Sequence, residues 1–517
     1  MRLKKWIGRL LLLAGLLVLA CGAVLWLHDP FPVNAEAPPR VSEAVPAWWE
    51  NPPALTADEV AAQQWLADMT FRLPKAREQE VWEVGGSQHG VFSIRYQAAF
   101  AGYAAAALGM RVPAYIGLTQ SVLTNTVARL CDRRAWSYIQ TYWSQEPWFP
   151  DPCAKGNVMF TGHLMQLMAL EEALAGDSRY NREGVDLVWD SARRFNYTTR
   201  RLAEITAAQI RAGECGVTCE PGLVFFACNN HPQITFRLLE GMGYGDWGDV
   251  RSKWERWALG RMQATMGGGA FRILHHEKSG MAYPRGMPGF DGWSLLWYAP
   301  WMTDRANLPI MWALAKKEIE WPEYGDDPGE RPVSLIQKDC CKPVRVPPAA
   351  SAGFLAAAAR ACGDDETAGV LEAWLDRHFR KAEEGRAWLE THREWRIGVT
   401  ANRTLALAQA HGSDLRALVL RPLPREYFQG LLLDSVEPSD TPVYRAYRVR
   451  EGSLVVELDG RGKAVTLKLK NAGRNTTAEW REKAEGKWDP LSGTLAFASC
   501  GRLTVSFLPG RANSGQP

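Results

Sequence analysis

The sequence predicts an all-α ring of helical hairpins, an (α/α)6 toroid, with a membrane helix before it and a small β-rich domain after it. Three observations carry that prediction. Residues 55 to about 412 repeat apolar positions at helical spacing through about twelve segments, separated by Gly, Pro or Asp. After about residue 425 the period changes to two, as in Val443-Tyr-Arg-Ala-Tyr-Arg-Val and Leu503-Thr-Val-Ser-Phe-Leu. Leu10 to Leu27 carries no charge and follows Arg2, Lys4, Lys5 and Arg9.

The elements follow in chain order. The uncharged run reaches the lower limit for a membrane-spanning helix, so residues 1–28 are expected to anchor the chain in the cell inner membrane and to export the rest to the periplasmic side. A cleaved signal or a lipoprotein at Cys21 is the competing reading. Residues 29–54 are Pro-rich and read as a stalk. The helical domain, 55–420, contains predicted helices at Glu59–Met69, Phe92–Leu108, Tyr115–Leu130, Ala135–Trp143, Asn157–Leu174, Val185–Ile205, Val224–Leu239 and Asp249–Met266. It continues with the Trp-rich Trp293–Trp301 and with Asn307–Ile319, Ala349–Ala361, Ala368–Lys381 and Val399–His411. Gly176 stops the Asn157 helix. Six hairpins closed in a ring is the natural arrangement for that count, and no fixed-period repeat favours a solenoid. The loop Glu320–Pro348 reads equally as a lid or as a plain insertion. Residues 425–517 form the β-rich accessory domain.

Composition narrows the function. The 517 residues carry 60 basic and 57 acidic side chains, a balance that gives no reason to expect nucleic acid as partner. Tryptophan is abundant, with 23 residues, which fits packed helices, a carbohydrate platform or an apolar pocket. Metalloprotease, nucleotide-binding and nucleophile-elbow motifs are absent from the sequence. No cofactor and no metal site is expected.

Four runs carry reactive side chains. The densest is Glu214 to His231, with Cys219-Glu220-Pro221 and then Cys228. Pro221 suggests a helix start, which would put Cys219 and Glu220 at the positive end of a helix. The spacing fits a pair of acid/base thiols and fits a disulfide, for which Cys215 also competes. In Asn157-Val-Met-Phe-Thr-Gly-His163, the residues Met159, His163 and Leu167 share one helical face. His163 there is either a satisfied core histidine or a cavity-lining one. In Gly267 to Gly280 the glycine triplet lacks the Lys-Ser/Thr of a P-loop, and Phe271 to His276 reads as a rim hairpin. Asp68, followed by Tyr96 on the next helix, is the fourth candidate, and as an early helical Asp it competes with a solvated surface role.

At these residues the chain resembles the linalool dehydratase-isomerase family. Asn157 to Tyr180 has that family's N-[IV]-M-[YF]-x-G-H-L pattern and its trailing G-[DS]-x-R-Y. Cys219 to Asn229 is similar to its C-E-P-[DN]-x-x-F-x-x-C-N motif, with Gly222 at the [DN] place. The resemblance implies an (α/α)6 toroid and a cofactor-free lyase that dehydrates or isomerises a tertiary allylic terpene alcohol. It implies Cys219, Cys228, His163, Glu220 and Asp68 as catalytic residues, and Met159, Tyr96, Phe271 and His275 around the substrate. Cys219 with Asp68 is expected to act at the hydroxyl, and Cys228 with His163 at the carbon proton. A lipophilic alcohol as substrate, the membrane as partner and a homo-oligomer are the implied partners. His275 stands near a family tyrosine, and the cysteine expected upstream of Cys131 is missing, which leaves Cys153 as its candidate partner. The alternative is a glycan-processing lyase, epimerase or glycosidase on the same toroid, which would need paired carboxylates.

Overall fold

The computed structural model describes residues 2–28, 47–73, 82, 94–142, 150–264, 269–283, 287–320, 334–335, 348–392 and 395–509. Residues 29–46 of the stalk and nearly all of the Glu320–Pro348 loop, with Cys340 and Cys341, lie outside the described residues.

The chain opens with a helix, α1 (Arg2–His28), on which Trp6, Leu10 to Leu13 and Leu16 to Leu19 are exposed. Among the described residues no helix is long and apolar enough to cross a membrane. The expected anchor coincides with this helix, of which only the side chains of Trp6 and of Gly8 to Ala23 are described.

Helices α2 (Ala57–Thr70), α3 (Ile94–Gly109), α4 (Ile116–Cys131), α5 (Val158–Ala175), α6 (Thr199–Ala212) and α7 (Phe226–Gly241) form the first half of the helical domain. Helices α8 (Gly248–Met262), α9 (Pro288–Tyr298), α10 (Leu308–Lys316), α11 (Pro348–Cys362), α12 (Asp365–Phe379) and α13 (Arg396–Ala410) form the second. Helix α2 starts in a capping box, Thr56 with Glu59, as its acidic first turn requires. The odd-numbered helices from α3 to α13 pack each on the next, and α13 returns to α3. The even-numbered helices lie against neighbouring members of that closed circuit. The inner helices are buried all round, every residue of α3 and α5 included, which is why their apolar pattern shows no polar face.

Two helix expectations are corrected. Val185–Ile205 begins as an antiparallel hairpin, β1 (Val185–Val188) on β2 (Arg194–Tyr197), before α6. Alternating short segments around the Asp190 turn, whose carboxylate accepts from Ala192 and Arg193 N–H, favour extended backbone there. The segment after Pro221 is a strand, β3 (Leu223–Phe225), and the helix starts at Phe226. Strand β3 pairs with β4 (Leu274–His276), and β4 with β5 (Met281–Tyr283), so the rim hairpin expected at His275 is formed. Short pairs β6 (Ile319–Glu320) with β7 (Ser334–Leu335), and β8 (Arg380–Glu383) with β9 (Arg386–Leu389), decorate the second half.

The C-terminal part is a curled six-stranded sheet. Strands β10 (Leu432–Glu437), β12 (Leu454–Lys470), β15 (Thr494–Leu508) and β13 (Thr477–Trp480) run in that order, with β11 (Val443–Arg448) on β12 and β14 (Gly486–Asp489) on β15. Its bonds to the helical domain include Leu55 N–H to Tyr444 O, Ala114 N–H to Ala446 O and Leu433 N–H to Ala114 O. Gly117 follows immediately, and a Cβ there would lie 1.6 Å from Asp434 O, so only glycine allows this approach.

Candidate active site

The reactive side chains meet where α3, α5 and α7 begin. Cys219 and Glu220 precede a tight turn: Cys219 N–H donates to Leu223 O at 2.8 Å and Leu223 N–H to Glu220 O at 2.9 Å. Pro221 and Gly222, with φ +76° at the glycine, form its centre. That is a type II turn, which favours Pro at its first central position and needs a residue tolerant of positive φ at its second. It accounts for glycine at the family's [DN] place. The positive helix end therefore belongs to Cys228, the third residue of α7, and not to Cys219 as the proline suggested.

Two polar clasps hold the thiols in register. Asn229 accepts Val217 N–H at 2.8 Å and donates to Val217 O and Phe225 O, both at 2.9 Å, which ties the Cys219 segment to the first turn of α7. Val158 N–H donates to Thr218 O at 3.0 Å, which ties the same segment to the start of α5. Asn157 opens α5 at φ +60°, a left-handed conformation that Asn tolerates, and its amide is held by the Tyr138 hydroxyl and by Pro152 O. Gly162 lets α5 approach α7: a Cβ there would meet Pro232 Cδ at 3.0 Å, with Cys228 O at 3.5 Å. Asn157, Gly162, Pro221 and Asn229 of the two motifs thus have structural tasks beside the reactive residues. The trailing Gly-Asp-Ser-Arg-Tyr does likewise, since Arg179 pairs with the buried Glu171 and Asp177 accepts Arg179 N–H.

Cys219 and Cys228 are buried free thiols; Cys153, also buried, and the half-buried Cys131 and Cys215 are free as well. The disulfide readings, including Cys131 with Cys153, are corrected accordingly. Cys215 instead donates toward the Glu277 carboxylate. Burial pushes the Cys219 pKa well up, and its S–H donates to Cys228; Phe225 N–H, which donates to the Cys219 sulfur, works the other way. Burial also raises Glu220, against the pull of Arg95. Arg95 is fully buried at the start of α3. Burial opposes its charge, yet Tyr96, Tyr138 and Glu220 around it hold its pKa above the ordinary value. Its Nη2 donates to the Tyr96 hydroxyl at 3.0 Å and touches Met159 Sδ at 3.4 Å, and its guanidinium stacks on Tyr96 and Tyr138. Burial raises Tyr96, with Arg95 pulling it down and Cys228 adding to the rise.

His163 lies one turn beyond Met159, edge-on to Tyr96 and Phe100 and stacked on Trp293 at 6.2 Å. Burial, then His231 and Arg95, press its pKa well below the usual histidine value, so it is neutral. Trp293 stacks in turn on Phe354 at 5.3 Å. The structure therefore brings Cys219, Cys228, Glu220, Tyr96, Met159 and His163 together within an aromatic wall. Phe271 and His275 are placed behind it: Phe271 stacks on Phe226 at 4.1 Å, and His275, opposite Val224 in the sheet, packs edge-on against Trp257. Asp68 is not brought to the thiols within this chain. It sits on the outer helix α2, partly exposed, and pairs with Arg72 and Arg386.

The residues that sequence reading missed are Arg95, Tyr103, Gln166, Asn229, His231 and Asp291. A charge inside the fully apolar run around Arg95 was the available signal. Asp291 is buried on α9 and accepts Ala270 and Phe271 N–H at 2.8 and 3.0 Å, which anchors the segment after the glycine triplet. Burial lifts its pKa to about 7, against those two N–H groups.

The family profile of linalool dehydratase/isomerase matches residues 95–395, more than half of the chain. The chain belongs to the linalool dehydratase/isomerase family. Its motifs are the ones that build the thiol end of the ring. The chain is distantly similar to several solved structures. An unsaturated glucuronyl hydrolase from Bacillus sp. GL1 is 11% identical, covering 68% of this chain and 96% of its own, with a TM-score of 0.40. An alpha-amylase from Clostridium perfringens is 9% identical over 68% of this chain and 98% of its own, with a TM-score of 0.37. Endoglucanase CelQ from Clostridium thermocellum, also 9% identical, covers 89% and 93%, with a TM-score of 0.34. Likeness at that level carries no argument about substrate.

Proposed function

We propose that this member of the linalool dehydratase/isomerase family is a cofactor-free lyase on an (α/α)6 toroid, acting on a linalool-like tertiary allylic alcohol. The observation that carries the reading is the pair of buried, mutually bonded free thiols beside Glu220, inside an aromatic wall. Hydroxide is a poor leaving group, so the oxygen must be protonated as the C–O bond breaks. Glu220, whose pKa burial raises so that its protonated form is favoured, is suited to that step, with Cys219 held as a thiol beside it. Water leaves and an allyl cation forms. Tyr96, Phe100, Trp293 and the Met159 sulfur supply the soft, water-poor surroundings such a cation needs. Cys228, entering this step as a thiolate in the first turn of α7, takes a proton from the adjacent methyl to give the diene, and that proton returns to the Glu220 carboxylate for the next turnover. Re-addition of the water at the other end of the allyl system, with its extra proton returned to the Glu220 carboxylate, gives the migrated alcohol.

This departs from the sequence expectation at the hydroxyl, where Glu220 replaces Asp68. A glycan-processing enzyme would present two carboxylates across its cleft. The group described here joins one carboxyl with two sulfurs. The test is incubation of the purified chain with linalool and related tertiary allylic alcohols, with products resolved by gas chromatography. Myrcene or geraniol is expected from linalool. A folded protein that forms no alkene or isomer from any of them would refute the proposal.

A further inference from the structure

Behind the thiols, four neighbouring inner helices share a chain of hydrogen bonds whose directions are fixed by chemistry. On α9, Trp293 donates its indole Nε1–H to His231 Nε2 at 3.2 Å. An indole N–H has no lone pair with which to accept. His231 Nε2 is therefore unprotonated, and the ring carries its hydrogen on Nδ1. That N–H points at Gln166 Oε1, 2.7 Å away on α5, and more weakly at the Tyr103 oxygen at 3.4 Å.

Tyr103, on α3, has one hydroxyl hydrogen to place. His231 Nδ1 already holds a hydrogen and cannot accept it. The other contact of that hydroxyl is His163 Nδ1 at 2.7 Å. The hydrogen goes there, so His163 accepts at Nδ1 and keeps its own proton at Nε2. His163 is completely buried, and its Nε2 has no hydrogen-bond partner among the described residues.

We infer that Trp293, His231 and Tyr103 form a relay that fixes His163 as the Nε2–H tautomer and presents it to the substrate as a hydrogen-bond donor to oxygen. The inference rests on the functional reading above for the identity of that oxygen. It assigns His163 to the hydroxyl side of the reaction, whereas the sequence pairing with Cys228 placed it at the carbon proton. A neutral imidazole N–H is too weak an acid to protonate an alcohol. It can hold the alcohol oxygen in place while Glu220 delivers the proton, and hold the departing water near the cation for migration. His163 keeps its proton throughout. Trp293, His231 and Tyr103 are positioning residues in this scheme.

The test is nitrogen NMR of the full chain labelled with 15N-histidine, with His163 assigned by its loss in His163→Gln. At neutral pH the wild type is expected to show His163 Nδ1 unprotonated and Nε2 protonated. Trp293→Phe keeps the ring but removes the donor. It is expected to let both histidines populate the second tautomer and to lower kcat about tenfold, the effect of one lost hydrogen bond, with little change in KM. Tyr103→Phe removes the next link and serves as the independent variant should Trp293→Phe not fold. An Nδ1–H tautomer or an imidazolium at His163 in the wild type would overturn the relay. So would a tautomer state unmoved in a folded Trp293→Phe or Tyr103→Phe. The spectrum reads the tautomer without turnover, so a protein inactive on linalool but with the stated tautomer would refute the function and leave the relay standing.

Discussion

At Asp68 the outer helix α2 surrounds a carboxylate with two guanidinium groups, Arg72 and Arg386, and leaves it partly in water. At Glu220 the turn before β3 takes a carboxyl out of water and gives it Arg95 as its one attractive charge, with no ion-pair contact among the described residues. Both looked alike in the sequence, as acids beside helical segments. The difference teaches that an acid is recognised by what its surroundings leave undone. Two arginines finish Asp68 and hold it as a local fastening. Glu220 is left with a raised pKa beside two thiols, which is the state a proton donor needs.

Four substitutions can break or sharpen that contrast. Cys228→Ser should have the largest effect, lowering kcat by about a thousandfold while circular dichroism and melting temperature stay near wild type. Retention of most activity would remove Cys228 from the proton-transfer step. Glu220→Gln should cost about a hundredfold in kcat/KM. It carries a pH signature as well. Glu220 acts when protonated and its pKa is raised, so wild-type activity should fall as pH rises through that value, and the variant should lack this alkaline limb. A limb that persists in the variant would assign the acid elsewhere. Asn229→Ala removes three hydrogen bonds from the buried clasp on Val217 and Phe225. About 2–4 kcal/mol of stability should be lost, seen as a lowered denaturant midpoint, with a drop in activity because Cys219 loses its register. Asp68→Asn should do least: under about 1 kcal/mol in stability, since partly exposed ion pairs contribute little, and activity within a few-fold. A hundredfold loss there would restore the catalytic role the sequence suggested.

Much of the ring was legible because its signal is local. The helices at Phe92–Leu108, Asn157–Leu174 and Ala349–Ala361 follow from long apolar runs stopped by glycine or charge. The hairpin at Val185–Tyr197 was hidden because four-residue strands carry too little period to outweigh the helix that follows. The start of α7 was misplaced for a related reason: Pro221 marks a helix start or a type II turn equally well, and only Gly222 at its second position favours the turn. In the site, Cys219, Cys228, Met159 and His163 could be read from two motifs. The relay of Tyr103, Gln166, His231 and Trp293 could not, because its members lie on four helices and are joined only when the ring closes. The same holds for the fate of Asp68, whose partner Arg386 is supplied by β9, far along the chain.

The account depends most on two sulfurs that stay reduced and face each other. The direct measurement is alkylation of the protein at the moment of cell lysis under non-reducing, denaturing conditions, followed by peptide mass mapping. Cys219 and Cys228 should both be recovered as alkylated thiols in the active preparation. Recovery of the two in a single disulfide-linked peptide, with activity intact, would contradict it.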